Sequence, residues 1–330
     1  EVILVSSGSV AAGRQLIHHG SPNPSIVTKQ AMASVGQMKM MANWQRFFDV
    51  PCSQLLITHG DLRDRQRYIN IKNTLRVLLA NHVLPIVNEN DTVATDELKV
   101  GDNDNLAALV ALVCEADCLI ILSDIDGLFD KDPRSNADAR LLPEISAITE
   151  KIYAMAGSTT NVIATGGMKT KIQAAEKAIE NGIETYIVNG HRSEVFDLLL
   201  QGKNPGTHFI ASQTATKARK NWVKHTLKSY GEVVLDQGAV NAVITQGASL
   251  LPSGIQSLSG DFSAGTSIDI IDSETGLAIA KGICQYNERD LQKIKGLKSD
   301  EIENVLGYCP SKVVIHRDDM VILNHNAKNK

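Results

Sequence analysis

Residues Val100–Asn105 read Val-Gly-Asp-Asn-Asp-Asn, and the apolar run Leu-Ala-Ala-Leu-Val-Ala-Leu-Val-Cys-Glu-Ala follows at once. Asp and Asn are favoured helix N-caps, because their side-chain oxygens accept hydrogen bonds from the first N–H groups of a helix. One cap is enough for that purpose. Four consecutive polar residues before the apolar run therefore indicate a site for a charged ligand. A second polar cluster, Asn-Glu-Asn-Asp-Thr-Val-Ala-Thr, occupies residues 88–95 just upstream.

Short apolar runs alternate with amphipathic segments over the first two thirds of the chain. The apolar runs predict strands at Val2–Val5, Ser53–Thr58, Val83–Val87, Cys118–Leu122 and Glu184–Val188. Strands that alternate with helices form βαβ units, so we expect an α/β fold, an αβα sandwich with a mainly parallel sheet. Ligands of such sheets bind beyond the carboxyl ends of the strands, where most of the polar clusters fall.

The composition changes near residue 212. A polar, basic stretch comes first, and from Gly231 the predicted strands are short and separated by glycine-rich turns, which is typical of a small β-barrel. We therefore divide the chain into an α/β domain at 1–212, a linker at 213–229, a barrel domain at 230–310, and a C-terminal strand and tail at 311–330.

Composition excludes several classes of protein. The 330 residues carry a net charge of -4, which gives no overall attraction to nucleic acid or to a membrane surface. No apolar stretch approaches the roughly 20 residues that span a bilayer. The five cysteines are scattered and odd in number, so we expect reduced thiols and a cytoplasmic protein. Cys114 and Cys118 lie in apolar surroundings and are interpreted as buried structural thiols, not as a metal pair.

Three loops are candidates for ligand binding. Residues 6–9, Ser-Ser-Gly-Ser, join a strand to a helix and present N–H groups and hydroxyls to an anion, although the turn alone is explained more simply as a strand-to-helix connection with a Ser N-cap. Residues 165–171, Thr-Gly-Gly-Met-Lys-Thr-Lys, bring a backbone close to a polyphosphate, with Lys171 one turn into a helix. Residues 123–134 are either an acidic surface loop or the edge of a nucleotide site.

The order of these motifs resembles the amino-acid kinase superfamily and, within it, the glutamate 5-kinases. The motifs are SSGSVAAGR, NENDTVAT, VGDNDNLAALVA, SDIDGLFDKDPR and TGGMKTK. The block from Gly231 to Gly307 resembles a PUA domain, a small β-barrel first known from RNA-modifying enzymes. This pairing of domains is itself typical of bacterial members of the family.

The resemblance implies a role for each motif residue. Ser7, Asp91 and Asn103 match substrate-binding residues, and Asp104 matches an aspartate that organises the catalytic lysines. Lys171 matches a catalytic lysine that stabilises the transferring phosphoryl group. ATP-binding roles are implied for Ser123, Asp124, Thr165, Gly166, Gly167, Met168, Lys169, Thr170 and Lys171.

The resemblance also implies the reaction and its partners. We expect ATP-dependent phosphorylation of the γ-carboxylate of L-glutamate, the first step of proline biosynthesis, with Mg²⁺ brought in by ATP and no metal ligands assigned to the protein. Proline as a feedback inhibitor and a homodimer or homotetramer are implied as well. The alternatives are an aspartate or acetylglutamate kinase, or an RNA-binding protein acting through the barrel, which the mixed charge of the barrel disfavours.

One family element is missing from the sequence. Family members open with a strand and a Lys-x-Gly-x-Ser/Thr phosphate loop, whereas this sequence begins at Glu1 within a predicted strand. We expect the sequence to be an N-terminally truncated part of an active enzyme. A polypeptide that truly starts at Glu1 is expected to be nearly inactive and poorly soluble, because it lacks a phosphate-binding lysine and leaves a sheet edge open.

Overall fold

A computed structural model describes residues 1–18, 20, 22–94, 103–156, 167–211 and 229–323. The chain divides into two compact units. The first comprises Glu1–Leu62 and Thr74–Ala215, and the second comprises Arg63–Asn73 and Thr216–Lys330. Of the linker predicted at 213–229 only Ser229 is described, so the boundaries drawn from the sequence stay a prediction.

The first unit contains two sheets. The strands β1 (Leu4–Val5), β2 (Cys52–Ile57) and β3 (Leu84–Glu89) form a parallel sheet in the order β1-β3-β2. The second sheet has the order β4-β6-β7-β5, and its strands are β4 (Cys118–Ser123), β5 (Glu144–Ile145), β6 (Glu184–Asn189) and β7 (Thr207–Phe209). Only the β6–β7 pair of these two sheets is antiparallel among the described residues, which confirms the predicted mainly parallel α/β architecture.

Helices connect and cover these strands. They are α1 (Ser9–Gly13), α2 (Ile26–Gln45), α3 (His59–Arg63), α4 (Arg65–Ala80), α5 (Asn103–Cys114), α6 (Glu150–Met155), α7 (Met168–Glu180) and α8 (Val195–Leu200). Helix α5 contacts β1 and β3 of one sheet and β4 of the other. Its apolar run buries Leu106, Ala108 and Val110 almost completely, which fixes the start of the helix relative to both sheets.

One face of β4 remains open to solvent. Along this strand exposed and buried residues alternate, and Leu122 is 46% exposed on the outer side. Cys118 lies on the same exposed face, so its prediction as a buried thiol was wrong. The reason is the strand period of two, which places Cys118 on the face opposite the core residues Leu119 and Ile121.

The second unit is built on a five-stranded mixed sheet in the order β12-β11-β10-β8-β9. Its strands are β8 (Gly231–Leu235), β9 (Ile255–Gly260), β10 (Ser267–Asp272), β11 (Ala278–Ile283) and β12 (Met320–Ile322). The helices α9 (Gln237–Ile244), α10 (Glu288–Ile294) and α11 (Ile302–Leu306) accompany them. A continuous apolar core, which includes the fully buried Val233, Ile268 and Ile270, holds this unit together.

Candidate active site

The start of helix α5 meets the start of helix α7. The Nζ atom of Lys171 lies 3.0 Å from both carboxylate oxygens of Asp104, and the Thr170 hydroxyl donates to Asp104 Oδ2 over 2.7 Å. The two charged side chains are only 13% and 16% exposed. Asp104 is therefore held between two residues of the glycine-rich loop, 66 and 67 positions further along the chain.

Asn103 is fixed by two acceptors. Its Nδ2 group donates to the backbone oxygen of Ser6 over 2.7 Å and to Asn88 Oδ1 over 2.8 Å. The orientation of the Asn103 amide is fixed, because both of its partners are acceptors. The backbone oxygen of Ser6 can only accept, and Asn88 Oδ1 also accepts from the N–H of Glu89, which identifies that atom as the oxygen of its amide. The side chain of Asn103 can therefore offer a ligand only its Oδ1 atom, as an acceptor.

Two further buried amides support this arrangement. The Asn88 side chain donates to Gln37 Oε1 over 3.0 Å, and Gln37 in turn donates to Gln54 Oε1 over 3.1 Å. Gln37 and Asn88 are 6% and 2% exposed. A chain of paired amides thus runs from β2 through α2 and β3 to Asn103, and it fixes the orientation of that residue.

Asp91 lies beside the first loop. The hydroxyl of Ser9 donates to Asp91 Oδ2 over 2.5 Å. Burial raises the pKa of the Asp91 carboxyl above its usual value, and the hydrogen bond from Ser9 works against that rise. Ser9 is three residues from Ser6, which contacts Asn103, so the loop at 6–9 touches both polar clusters that the sequence singled out.

Ser123 and Asp124 form a separate group at the carboxyl end of β4. Ser123 is buried and Asp124 is exposed, and the guanidinium of Arg134 donates to Asp124 Oδ2. This contact joins the two ends of the loop at 124–134.

The remaining residues of the predicted site are distributed as follows. Ser7 is exposed just after β1, and Lys169 is exposed on the first turn of α7. Gly167 is the N-cap of α7, and Met168 is half-buried at its first position. Thr165 and Gly166 lie outside the described residues. The structure thus brings Asn103, Asp104, Thr170 and Lys171 together through direct contacts or chain adjacency.

Sequence reasoning missed several residues of this region. Ser9, Gln37 and Asn88 were not assigned individual roles, and Arg134 was quoted only as part of its loop. Ser9 and Asn88 belong to motifs already recognised, so their positions gave a partial signal. Gln37 gave none, because it lies in the middle of a long helix and its partners come from β2 and β3.

Among the residues that the structure describes, no group of three or more His, Cys, Asp or Glu side chains is suited to hold a metal ion. In the same part of the chain, no helix has both the length and the apolar character needed to cross a bilayer.

Comparisons with known proteins identify a family for each of two parts of the chain. The sequence pattern of the amino acid kinase family matches residues 1–189, and that of the PUA domain matches residues 231–306. A glutamate 5-kinase of Idiomarina loihiensis is 52% identical over 323 residues, which cover 98% of this chain and 87% of that protein. A glutamate 5-kinase of Salinibacter ruber is 50% identical over 326 residues, with the same two coverages.

A comparison of folds finds the crystal structure of uridylate kinase from Archaeoglobus fulgidus. It is 17% identical in sequence, covers 63% of this chain and 84% of its own, and gives a TM-score of 0.42.

Proposed function

Because this chain belongs to the amino acid kinase family, we propose that phosphoryl transfer takes place where the starts of α5 and α7 meet, with Asp104 and Lys171 as the catalytic pair. The reaction is that of the glutamate 5-kinase relatives, which match nearly the whole chain. ATP phosphorylates the γ-carboxylate of L-glutamate to give L-glutamyl 5-phosphate and ADP, the first step of proline biosynthesis. The contact of Lys171 with Asp104 at 3.0 Å is the observation that carries the site assignment.

The chemistry requires little more than positioning and charge neutralisation. An oxygen of the γ-carboxylate attacks the γ-phosphorus of ATP, the new P–O bond forms, and the bond to the β,γ-bridging oxygen breaks as ADP leaves. A glutamate side chain has an ordinary pKa of about 4.3, so the nucleophile is already ionised at neutral pH and no general base is needed. The absence of a histidine from the proposed set fits this requirement.

Lys171 supplies the positive charge in this proposal. Its ammonium group and the unpaired N–H groups at the start of α7 favour the negative charge of the phosphates. Asp104 keeps the lysine in one orientation before ATP binds, since it contacts Nζ with both oxygens. The Thr170 hydroxyl holds the Asp104 carboxylate in turn. The Lys171 ammonium group is therefore already oriented, and it loses little conformational entropy when the phosphoryl group is transferred.

The other ATP contacts are proposed at both ends of the nucleotide. The glycine-rich loop from Thr165 to Lys171 approaches the phosphates, and Ser123 with Asp124 approaches the purine or ribose. Mg²⁺ brought in with the nucleotide would neutralise part of the phosphate charge.

Glutamate is proposed to bind between the loop at 6–9 and the two polar clusters. The carboxylate of Asp91 and the Oδ1 atom of Asn103 are both acceptors, which suits the α-ammonium group of the substrate. Ser7, exposed at the end of β1, can donate its hydroxyl to a substrate carboxylate. Proline also carries an α-carboxylate and an ammonium centre, so we propose that it inhibits by competing at the same place.

Two further properties remain proposals of the same kind. All five cysteines are free thiols, which supports a reducing, cytoplasmic location. A homodimer or homotetramer is proposed from the resemblance alone.

The test compares substrates and variants in one coupled ADP-release assay. L-Glutamate is expected to be turned over, while L-aspartate and N-acetyl-L-glutamate are not. Asp91→Asn and Asn103→Ala are expected to raise the KM for L-glutamate by about tenfold or more and to leave the KM for ATP unchanged, because the first removes the negative charge that faces the α-ammonium group and the second removes a hydrogen-bond acceptor. Equal KM values for L-glutamate in parent and variants would refute the assignment of the substrate site.

A further inference from the structure

Ser9 is held in one place by its backbone. It follows Gly8, whose φ of +112° turns the chain sharply from β1 into α1. A Cβ atom on Gly36 of helix α2 would lie 1.9 Å from the carbonyl oxygen of Ser9, and one on Gly13 would lie 1.9 Å from the carbonyl oxygen of Met32. Helices α1 and α2 are therefore in backbone contact at both ends of α1, which leaves Ser9 little freedom to move.

The side chain of Ser9 joins two distant parts of the sequence. It is 2% exposed, and its hydroxyl donates to a carboxylate that lies 82 residues away. The distance of 2.5 Å from Ser9 Oγ to Asp91 Oδ2 is typical of a hydroxyl bonded to an ionised acceptor. An ionised carboxylate accepts about four hydrogen bonds, so one from Ser9 leaves room for a ligand ammonium group on the same side chain.

Asp91 benefits from this donor in two ways. The side chain is half-buried in the turn after β3, where desolvation raises the pKa of the carboxyl and disfavours its charge. The Ser9 hydroxyl lowers that pKa again and also restrains the rotation of the carboxylate. Both effects favour a charged group that is already oriented before an ammonium ion arrives.

We propose that Ser9 is a positioning residue for the amino-acid substrate, acting through Asp91, whose carboxylate it orients toward the α-ammonium group. This inference rests on the proposed function, in which Asp91 binds L-glutamate. Ser9 itself does not contact the substrate. Its contribution is to binding, so removal of the hydroxyl affects glutamate affinity and leaves the phosphoryl-transfer step and the ATP site unchanged.

The first measurement uses Ser9→Ala in the full chain. The KM for L-glutamate and its dissociation constant by titration calorimetry are expected to rise about tenfold, the usual effect of losing a hydrogen bond to a charged group. The kcat value and the KM for ATP are expected to stay within about twofold of the parent. A fall in kcat with an unchanged KM for L-glutamate would overturn the proposal.

A matched control removes another buried hydroxyl. Ser53 lies on β2 in the same unit, and among the described residues its Oγ atom has no hydrogen-bond partner. Ser53→Ala is expected to leave both KM values unchanged. If it weakens glutamate binding as much as Ser9→Ala does, the effect is one of packing and the proposal fails. Should Ser9→Ala not fold, Ser9→Cys replaces it, since a thiol fills a similar volume and donates only weakly.

A double-mutant cycle separates the inference from the proposed function. Because Ser9 acts through Asp91, Ser9→Ala combined with Asp91→Asn is expected to bind L-glutamate no more weakly than Asp91→Asn alone. Additive losses would show that Ser9 acts independently and would overturn the inference. If Asp91→Asn by itself leaves glutamate binding unchanged, the assignment of Asp91 in the proposed function fails instead.

Discussion

The two units each hold a lysine against an aspartate, but in different surroundings. In the first unit Lys171 contacts Asp104 at 3.0 Å with the two side chains 13% and 16% exposed. In the second unit Lys72 contacts Asp319 at 2.5 Å with the two side chains 3% and 2% exposed. The first pair lies at two helix starts beside other polar groups, whereas the second lies deep inside its unit.

The difference in burial supports the proposed catalytic role of the first pair and a structural role for the second. A partly open pair remains accessible to a ligand, so the proposed contact of Lys171 with a phosphate costs little desolvation. A fully buried pair has no such alternative, because either charge left alone would be desolvated without compensation. Lys72 follows Ile69 by one helical turn, and Ile69 packs with Ile283 and Val321, so the pair holds residues 63–73 against the rest of the second unit.

The largest effect is expected from breaking the buried pair. Asp319→Ala leaves the Lys72 ammonium group buried without its carboxylate, which costs about 3–5 kcal/mol of unfolding free energy. Urea unfolding followed by circular dichroism measures this loss. The exposed pair of Lys312 and Asp300 provides the control, since Asp300→Ala is expected to change stability too little to detect. Equal losses in the two variants would contradict the comparison.

The next effect is catalytic. Lys171→Met is expected to lower kcat by about 10²–10³-fold, the usual result of removing a preorganised charge from a transition state, with little change in unfolding free energy. Initial rates at saturating ATP and L-glutamate measure it. Lys151→Met, at an exposed lysine of α6 in the same unit, is the matched control and should keep the parent rate. If Lys171→Met lowers the unfolding free energy strongly and leaves kcat unchanged, the first pair is structural and the comparison is wrong.

A smaller effect is expected when both buried charges are replaced. Lys72→Met combined with Asp319→Leu removes the desolvation cost of both groups, so the unfolding free energy is expected to lie within about 1 kcal/mol of the parent or above it. Lys171→Met combined with Asp104→Leu is expected to recover no activity. A double variant as unstable as Asp319→Ala alone would show that the buried pair has a function beyond structure.

The smallest effect concerns two thiols. Partial desolvation by neighbouring side chains, together with the negative charges of Glu184 and Asp117, raises the pKa of the exposed Cys118 thiol to about 11, and complete burial raises that of Cys284 to about 12. Because a raised thiol pKa reduces the thiolate fraction at neutral pH, alkylation of Cys118 by iodoacetamide should accelerate about tenfold per pH unit from pH 8 to pH 10.

Peptide mass mapping over time distinguishes these thiols. Cys284 is completely buried in the core of the second unit, and it is expected not to react at any of these pH values while the protein is folded. Glu184→Gln should speed alkylation of Cys118 at pH 8, because it removes a neighbouring negative charge. A pH-independent rate at Cys118 would refute the raised pKa.

Much of the fold could be predicted because its signals are local. The apolar run after Asn105 and the polar residues before it indicated where α5 begins, and the structure places this helix at Asn103–Cys114. The alternation of strands with helices along the chain predicted mainly parallel strands, and the match of the family pattern to residues 1–189 agrees with that prediction. The two-residue period of a strand also predicts that Cys118 faces away from the core, but the apolar residues beside it in the sequence suggested burial instead.

The sequence by itself determined the order of strands and helices and the residue types at each strand end, because propensity, capping and hydrophobic period act over a few residues. Only the tertiary structure decided which of those residues touch. Ser9 meets Asp91 across 82 positions, and Lys72 meets Asp319 across 247. Such contacts depend on how whole helices and strands pack. Whether an ion pair stays accessible to a ligand or is fully buried depends on how completely that packing excludes water.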